Sequence, residues 1–151
     1  MADLSHVLLD REAIKDVRSR FALALDTRDW ALFETLFTDE VDVDLPALGG
    51  PRRTMPKAEV AALFRHTFRR PAAENPTQQL YGNLLVEVDG DAATCDSYLV
   101  GYHHIPGFEG GDDATLRARY TDHLTRTPDG WRIAATAIHV FSVTGNPQIL
   151  A

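Results

Sequence analysis

The sequence predicts an α+β domain in which a helical layer closes over a strongly curved antiparallel sheet. Three observations carry this expectation. Apolar residues recur at helical spacing through most of the first 70 positions, and at every second position from residue 77 onward. Links rich in Gly, Pro and Asp divide the second half into four successive strand-like segments. Those segments run to about twelve residues each, long for a globular sheet, so the sheet should curl. Helices first and an antiparallel meander afterwards is an α+β order.

The first element is an amphipathic helix over about 8–26, with Ile14, Val17, Phe21 and Leu25 on its apolar stripe and Arg11, Lys15, Arg18 and Arg28 elsewhere. In DWALFETLF, Asp29 can cap the free N–H groups of a short second helix whose apolar face is Trp30, Phe33, Leu36 and Phe37. VDVDL, residues 41–45, alternates like a half-buried strand with Asp42 and Asp44 on its solvated face, and PALGGPRR reads as a loop. A third helix starts at Pro56, buries Val60, Leu63, Phe64 and Phe68, and ends before Pro71 and Pro76. TQQLYGNLLVEV, AATCDSYLVGYHH, TLRARYTDHLTRT and WRIAATAIHVFSV are the strands, joined at 89–91, 106–114 and 128–130. The tail GNPQILA is either a loosely held end or a lid.

Composition narrows the function. At 151 residues and 44% hydrophobic, residues 1–151 read as one domain with one core. A net charge of -7 with 15 scattered basic residues argues against a nucleic-acid surface. No apolar run reaches membrane-spanning length, and the N-terminus lacks a signal-peptide pattern, so the expected location is cytoplasmic. The single Cys95 sits in a strand, where a buried bystander is the plain reading.

The concave face of a curled sheet, covered only in part by three helices, leaves a hollow for a small ligand. Asp26, directly after Leu25 and close to Trp30, is either a turn residue or a carboxylate on that hollow. In the second case desolvation would raise its pKa and suit it to proton transfer. The 89–91 turn decides whether Gln79 meets His103. A loop of Asp89 and Gly90 alone pairs Val88 with Asp91 and sets the two on opposite faces. With Asp91 also in the loop, Gln79 faces Gly101, His103 follows on the same face, and Tyr81 and Asn83 join them. His103 and His104 point to opposite faces, so at most one enters the hollow. On the next strand either Arg119, Thr121 and His123 or Tyr120, Asp122 and Leu124 face inward. Pairing across the 128–130 turn sets His123 near Ala135 and His139 near Arg119, too far apart for a three-histidine metal site. There is no phosphate loop, dinucleotide fingerprint or nucleophile elbow, so neither metal nor cofactor is expected.

A helix with an Asp near its end, then DW and LF, VDVD, a Pro-started helix, TQ-x-L-x-GN, a VDGDAA turn and a TPDGW hairpin together resemble the nuclear transport factor 2-like superfamily. More narrowly, the chain is similar to the SnoaL-like group, which includes polyketide cyclases and is akin to scytalone dehydratase, limonene epoxide hydrolase, ketosteroid isomerase and the small subunits of ring-hydroxylating dioxygenases. The resemblance implies a cone-shaped α+β barrel, also called cystatin-like. It puts a pocket aspartate at Asp26 and a pocket histidine at His103. A further pocket histidine falls on Gln79, two water-holding tyrosines on Leu25 and Leu45, and a pocket Asn on Thr121. Those departures point away from the scytalone-type dehydration.

This fold hosts many activities, so function rests on the site. The leading expectation is a cofactor-free enzyme that acts on a small hydrophobic cyclic, polyketide- or terpenoid-like substrate by acid–base chemistry of the dehydratase, isomerase or cyclase type. Asp26 and His103 would move the proton. Gln79, Tyr81, Asn83 and Thr121 would hold substrate oxygens, and Trp30, Leu45 and Phe64 would line the wall. The alternatives are a non-catalytic binding or assembly domain, and the small subunit of a ring-hydroxylating dioxygenase. Tyr98, Val100 and Tyr102 on an outer sheet face suggest a homodimer.

Overall fold

The computed structural model of the chain describes residues 4–48 and 50–151. Helix α1 (Leu4–Thr27) buries Ile14, Val17, Phe21, Ala24 and Leu25 against the sheet. Arg18 is buried with them, although the sequence places it off the stripe. It follows Ile14 by four residues and precedes Phe21 by three, so it projects from the same face.

Helix α2 (Trp30–Glu34) is one short turn-and-a-half, capped by Asp29, whose side chain accepts from the Leu32 N–H. It stops earlier than the sequence suggests. Phe37 opens strand β1 (Phe37–Asp44), and the Ile133 N–H donates to the Leu36 carbonyl at 2.8 Å, so pairing with the last strand takes these residues from the helix. Strand β2 (Arg53–Pro56), not expected from the sequence, joins the end of the PALGGPRR loop to the third helix and buries Met55. Pro56 therefore caps helix α3 (Lys57–Thr67) from outside, with an extended ψ of 145°, rather than opening its first turn.

Strands β3 (Thr77–Asp89), β4 (Ala92–His104), β5 (Asp113–Thr127) and β6 (Gly130–Gly145) form the expected antiparallel meander in a six-stranded curved sheet of order β2-β1-β6-β5-β4-β3. The β1–β6 pair is parallel.

The β3–β4 register is neither of the two simple alternatives. The loop is Gly90–Asp91, so Asp89 pairs with Ala92. A bulge then sets Asn83 and Leu84 opposite Ser97, with Asn83 at φ 52°, and brings Gln79 opposite Gly101 after all. Across β4–β5, His103 faces Ala114 and Ser97 faces Tyr120. Facing partners share a side of the sheet, so the even-numbered set of β5 points inward. Of the two sets that the sequence left open, Tyr120, Asp122 and Leu124 therefore face inward, which corrects the expectation that Thr121 holds substrate. Across β5–β6, His123 pairs with Ala135 and Arg119 with His139, as the sequence implied.

The core centres on Phe21, whose ring meets those of Phe33, Phe64 and Tyr81 at 5.0, 5.4 and 6.0 Å. Beside it the Arg18 guanidinium donates to both carboxylate oxygens of Asp122 at 2.7 and 2.5 Å, while Thr136 donates to Asp122 at 2.8 Å. The rings of Phe21, Tyr81 and Tyr120 surround that guanidinium at 4.2–4.8 Å.

The tail is a lid rather than a loose end. Asn146 donates from Nδ2 to the carbonyls of Glu109 and Gly111, and a 3₁₀ turn at Pro147–Leu150 sinks Ile149 against Ile105 and Ala114. No helix among the described residues is long and apolar enough to cross a membrane.

Candidate functional site

The curl of the sheet encloses a cavity of ≈ 240 Å³ between α1, α3, the inner faces of β3–β6 and the tail. Most of its wall is hydrocarbon. Leu25 and Phe64 come from the helices, Leu99, Leu116, Ile138 and Val140 from the strands, and Pro147 and Leu150 close the mouth. Polar groups are few: Gln79 and His103 on adjacent strands, with Tyr81, Tyr120 and Thr67 around them.

His103 is 2% exposed, with its ring 5.0 Å from that of Phe68. Its Nε2 lies 3.4 Å from Gln79 Nε2, and its Nδ1 has no partner. With the Gln79 amide donating, Nε2 is the acceptor and the ring proton sits on Nδ1. At 3.4 Å the contact is weak, and a ligand atom can replace it. Burial, and secondarily the positive Arg28, hold the imidazole down to about 4. It is therefore neutral at physiological pH. Burial also pushes the Tyr120 phenol up to about 12, so it is protonated and able to donate.

Asp26 meets the site indirectly. Its carboxylate is half-buried behind the cavity wall, where it accepts from Thr77 Oγ1 at 2.7 Å and from the Gln79 main-chain N–H at 3.1 Å. Burial raises its pKa against those two hydrogen bonds and the charge of Arg28. Arg28, at φ 60°, donates to Thr77 Oγ1 and to the carbonyls of Leu25, Arg70 and Asn75. The end of α1 is thereby clamped to the start of β3. The order Asp26, Gln79, His103 is a chain of contacts in which only the last two reach the cavity.

The other expected residues divide. Tyr81 and Phe64 line the cavity. Asn83 does not, because the bulge turns it outward into solvent. Thr121 stands on the outer face, donating to Asp96 beside Asp42 and His123, because the inward set on β5 is the even one. Leu45 is buried in the core without reaching the cavity. Trp30 lies in a separate surface cleft with Arg65 over its ring.

Leu116 of β5, Ile138 and Val140 of β6, and the tail residues as cavity wall are not among the site residues expected from sequence. Only the alternation of β6 and the apolar PQIL after Gly145 hinted at them. Among the described residues, no three His, Cys, Asp or Glu side chains are grouped to hold a metal.

Rv2910c of Mycobacterium tuberculosis is 30% identical to this chain over 127 residues, covering 82% of this chain and 80% of that protein. The Kfla4162 protein of Kribbella flavida superposes with a TM-score of 0.84 at 24% identity, covering 95% of this chain and 98% of that one. The hexachlorocyclohexane dehydrochlorinase LinA-type3 of Novosphingobium barchaimii superposes at 0.74 with 19% identity, covering 92% and 91%. At these identities the two structures attest the fold alone. The family model of the SnoaL-like domain matches residues 6–137, and the chain belongs to that family, within the nuclear transport factor 2-like superfamily.

Proposed function

We propose that the protein is a cofactor-free acid–base enzyme that removes and returns a proton on a small, largely apolar cyclic substrate, in an elimination, isomerisation or cyclisation. The observation that carries this reading is the neutral, buried imidazole of His103 beside Gln79 on a mostly hydrocarbon wall. Substrate entering the cavity displaces the weak Gln79 contact and presents an acidic C–H or O–H to His103 Nε2. The Gln79 amide and the Tyr120 phenol are placed as donors to the oxygen or leaving group that gains charge. The imidazolium so formed is strongly acidic in this setting, which favours return of the proton to leaving group or product. Asp26 is a positioning residue: it fixes the backbone of Gln79, and through it the amide that faces His103. The elimination catalysed by the structurally similar dehydrochlorinase is the same kind of chemistry on an apolar ring.

The test begins with ligands found by thermal stabilisation among aromatic polyketides and terpenoids. Turnover of a hit should fall by about 10²-fold or more in His103→Gln with binding retained. Full rate in that variant sinks the mechanism. A binding-only role is favoured by one observation, the commitment of the Asp26 carboxylate to Thr77 and the main chain. Hits that stabilise strongly yet yield no product over long incubation would establish that role instead.

A further inference from the structure

Outside the cavity, one surface feature stands apart from the charge pattern of the chain. Arg28, Arg65, Arg69 and Arg70 line a single cleft with Trp30 and Phe68, in a protein of net charge -7. Elsewhere several arginines are matched to acids: Arg18 with Asp122, Arg52 with Asp42, and Arg126 with Asp10 and Asp91. In the cleft the one ion pair among the described residues is Arg65 with Glu34, at 3.9 Å. Arg28 commits its donors to Leu25, Arg70, Asn75 and Thr77 and faces the Asp26 carboxylate, so it forms the floor of the cleft without a free edge. Arg65 lies 5.3 Å over the Trp30 ring and Arg70 5.7 Å over Phe108, cation–π contacts that engage the guanidinium through its charge rather than through its N–H donors.

The cleft adjoins the cavity. Phe68 lines both, and Arg69 donates at 2.7 Å to the carbonyl of Ala151, a residue of the cavity mouth. Guanidinium groups that line one cleft favour an anion between them, and guanidinium edges match the oxygens of carboxylate and phosphate.

We infer that the Arg65–Arg70 cleft binds an oxyanion, carboxylate or phosphate, carried by the ligand whose apolar part fills the cavity. The oxyanion site follows from the cleft alone, while its link to an apolar ligand rests on the cavity reading above. It restricts the substrate class to amphipathic anions with an apolar ring and one acidic group about a side chain's length away.

The experiment compares 2-naphthol, 2-naphthoate and 2-naphthyl phosphate by calorimetry on the full chain, at low salt and about pH 7.5, where the naphthol is neutral and the others charged. Arg65→Gln/Arg70→Gln is the variant, because Arg69 holds the tail and Arg28 the start of β3. Both anionic probes should bind about tenfold or more tighter than the naphthol in the native chain. That advantage should drop below about threefold in the variant and in about 0.5 M NaCl, with naphthol affinity unchanged. A larger gain for the phosphate than for the carboxylate would identify phosphate as the source of the anion. Equal affinity for the three probes, or an advantage that survives the double substitution, overturns the inference. Failure of naphthol to bind refutes the cavity reading separately, and inorganic phosphate then tests the cleft by itself. It should shift the Trp30 indole N–H resonance saturably in the native chain and not in the variant, and an unmoved resonance overturns the oxyanion site as well.

Discussion

At the scale of single residues, His103 couples the site to stability. Its imidazole is held down to about 4 by burial and by Arg28, against 6.5 for the free group. Between these values the unfolded chain takes up a proton that the folded chain refuses. Stability is complete above about pH 6.5 and is lost as the pH falls toward 4, by up to about 3 kcal/mol. Asp26 acts in the opposite sense, since burial raises its carboxyl and its folded form loses stability as the pH rises above the ordinary carboxylate value. Comparison with His103→Gln isolates the imidazole: between pH 7 and about 4.5, urea unfolding should cost the native chain about 2 kcal/mol more than the variant. Equal losses would show that His103 is not held neutral. Gly101 is the second sensitive position. A Cβ there would stand 2.7 Å from Gln79 Oε1, the movable end of a side chain. Gly101→Ala should therefore change the melting temperature little while displacing Gln79, and a crystal structure or the His103 ring resonances would register the lost contact. Unaltered ring shifts would count against Gln79 as the group that orients His103. Alternation left two registers open for Gln79 and His103, the family resemblance favoured the one that joins them, and the bulge in β3 brings them together. The direction of the Asp26 carboxylate was not readable, since the groups that hold it, Thr77 Oγ1 and the Gln79 N–H, lie on a strand distant in sequence.

At the scale of elements, the long strands were evident from their period of two, but their faces were not. Alternation along β5 is symmetric, and only the length and path of the 105–112 connection decide that Tyr120 rather than Thr121 enters the cavity. The bulge at Asn83 adds one residue to β3 and removes Asn83 from the site, and nothing in GN distinguishes a bulge from a continuous strand. Four-residue β2 carries too short a pattern to read. The lid depends on one backbone position. Gly145 sits at φ 83° with a hypothetical Cβ 2.2 Å from the Asp113 carbonyl oxygen, a backbone atom that cannot yield. Gly145→Ala should cost about 2 kcal/mol or more and release Asn146–Leu150 from the 106–112 loop. Hydrogen exchange at the Ile149 amide, which donates to the Asn146 carbonyl, would accelerate strongly. Native protection in that variant would mean that the tail closes without the Gly145 turn.

At the scale of the whole molecule, α1 is fastened to the inner face of the sheet by a buried ion pair between residues 104 positions apart. Arg18 and Asp122 are each 1% exposed, and the chain between them runs through every helix and five of the six strands. No local pattern relates two such positions, which is why the sequence left Arg18 off the stripe and the face of Asp122 open. Burial by itself would lower the Arg18 pKa, but the adjacent Asp122 carboxylate outweighs it and keeps the guanidinium charged. Removing one partner leaves the other as an uncompensated buried charge. Asp122→Leu should therefore destabilise the protein by about 3–5 kcal/mol. The paired replacement Arg18→Met/Asp122→Leu should recover most of that loss, because two apolar side chains of similar bulk avoid the desolvation that the ion pair must offset. Thr136, which donates to Asp122, limits the recovery by losing its acceptor. The guanidinium also lies against Tyr81 and Tyr120, both on the cavity wall. The double variant should thus regain stability in urea titrations while binding cavity ligands more weakly than the native chain, as the two rings relax into the space left by Arg18. Recovery of both stability and affinity would show that the pair only fastens α1. Failure of the double variant to regain stability would show instead that the pair contributes more in place than its burial costs.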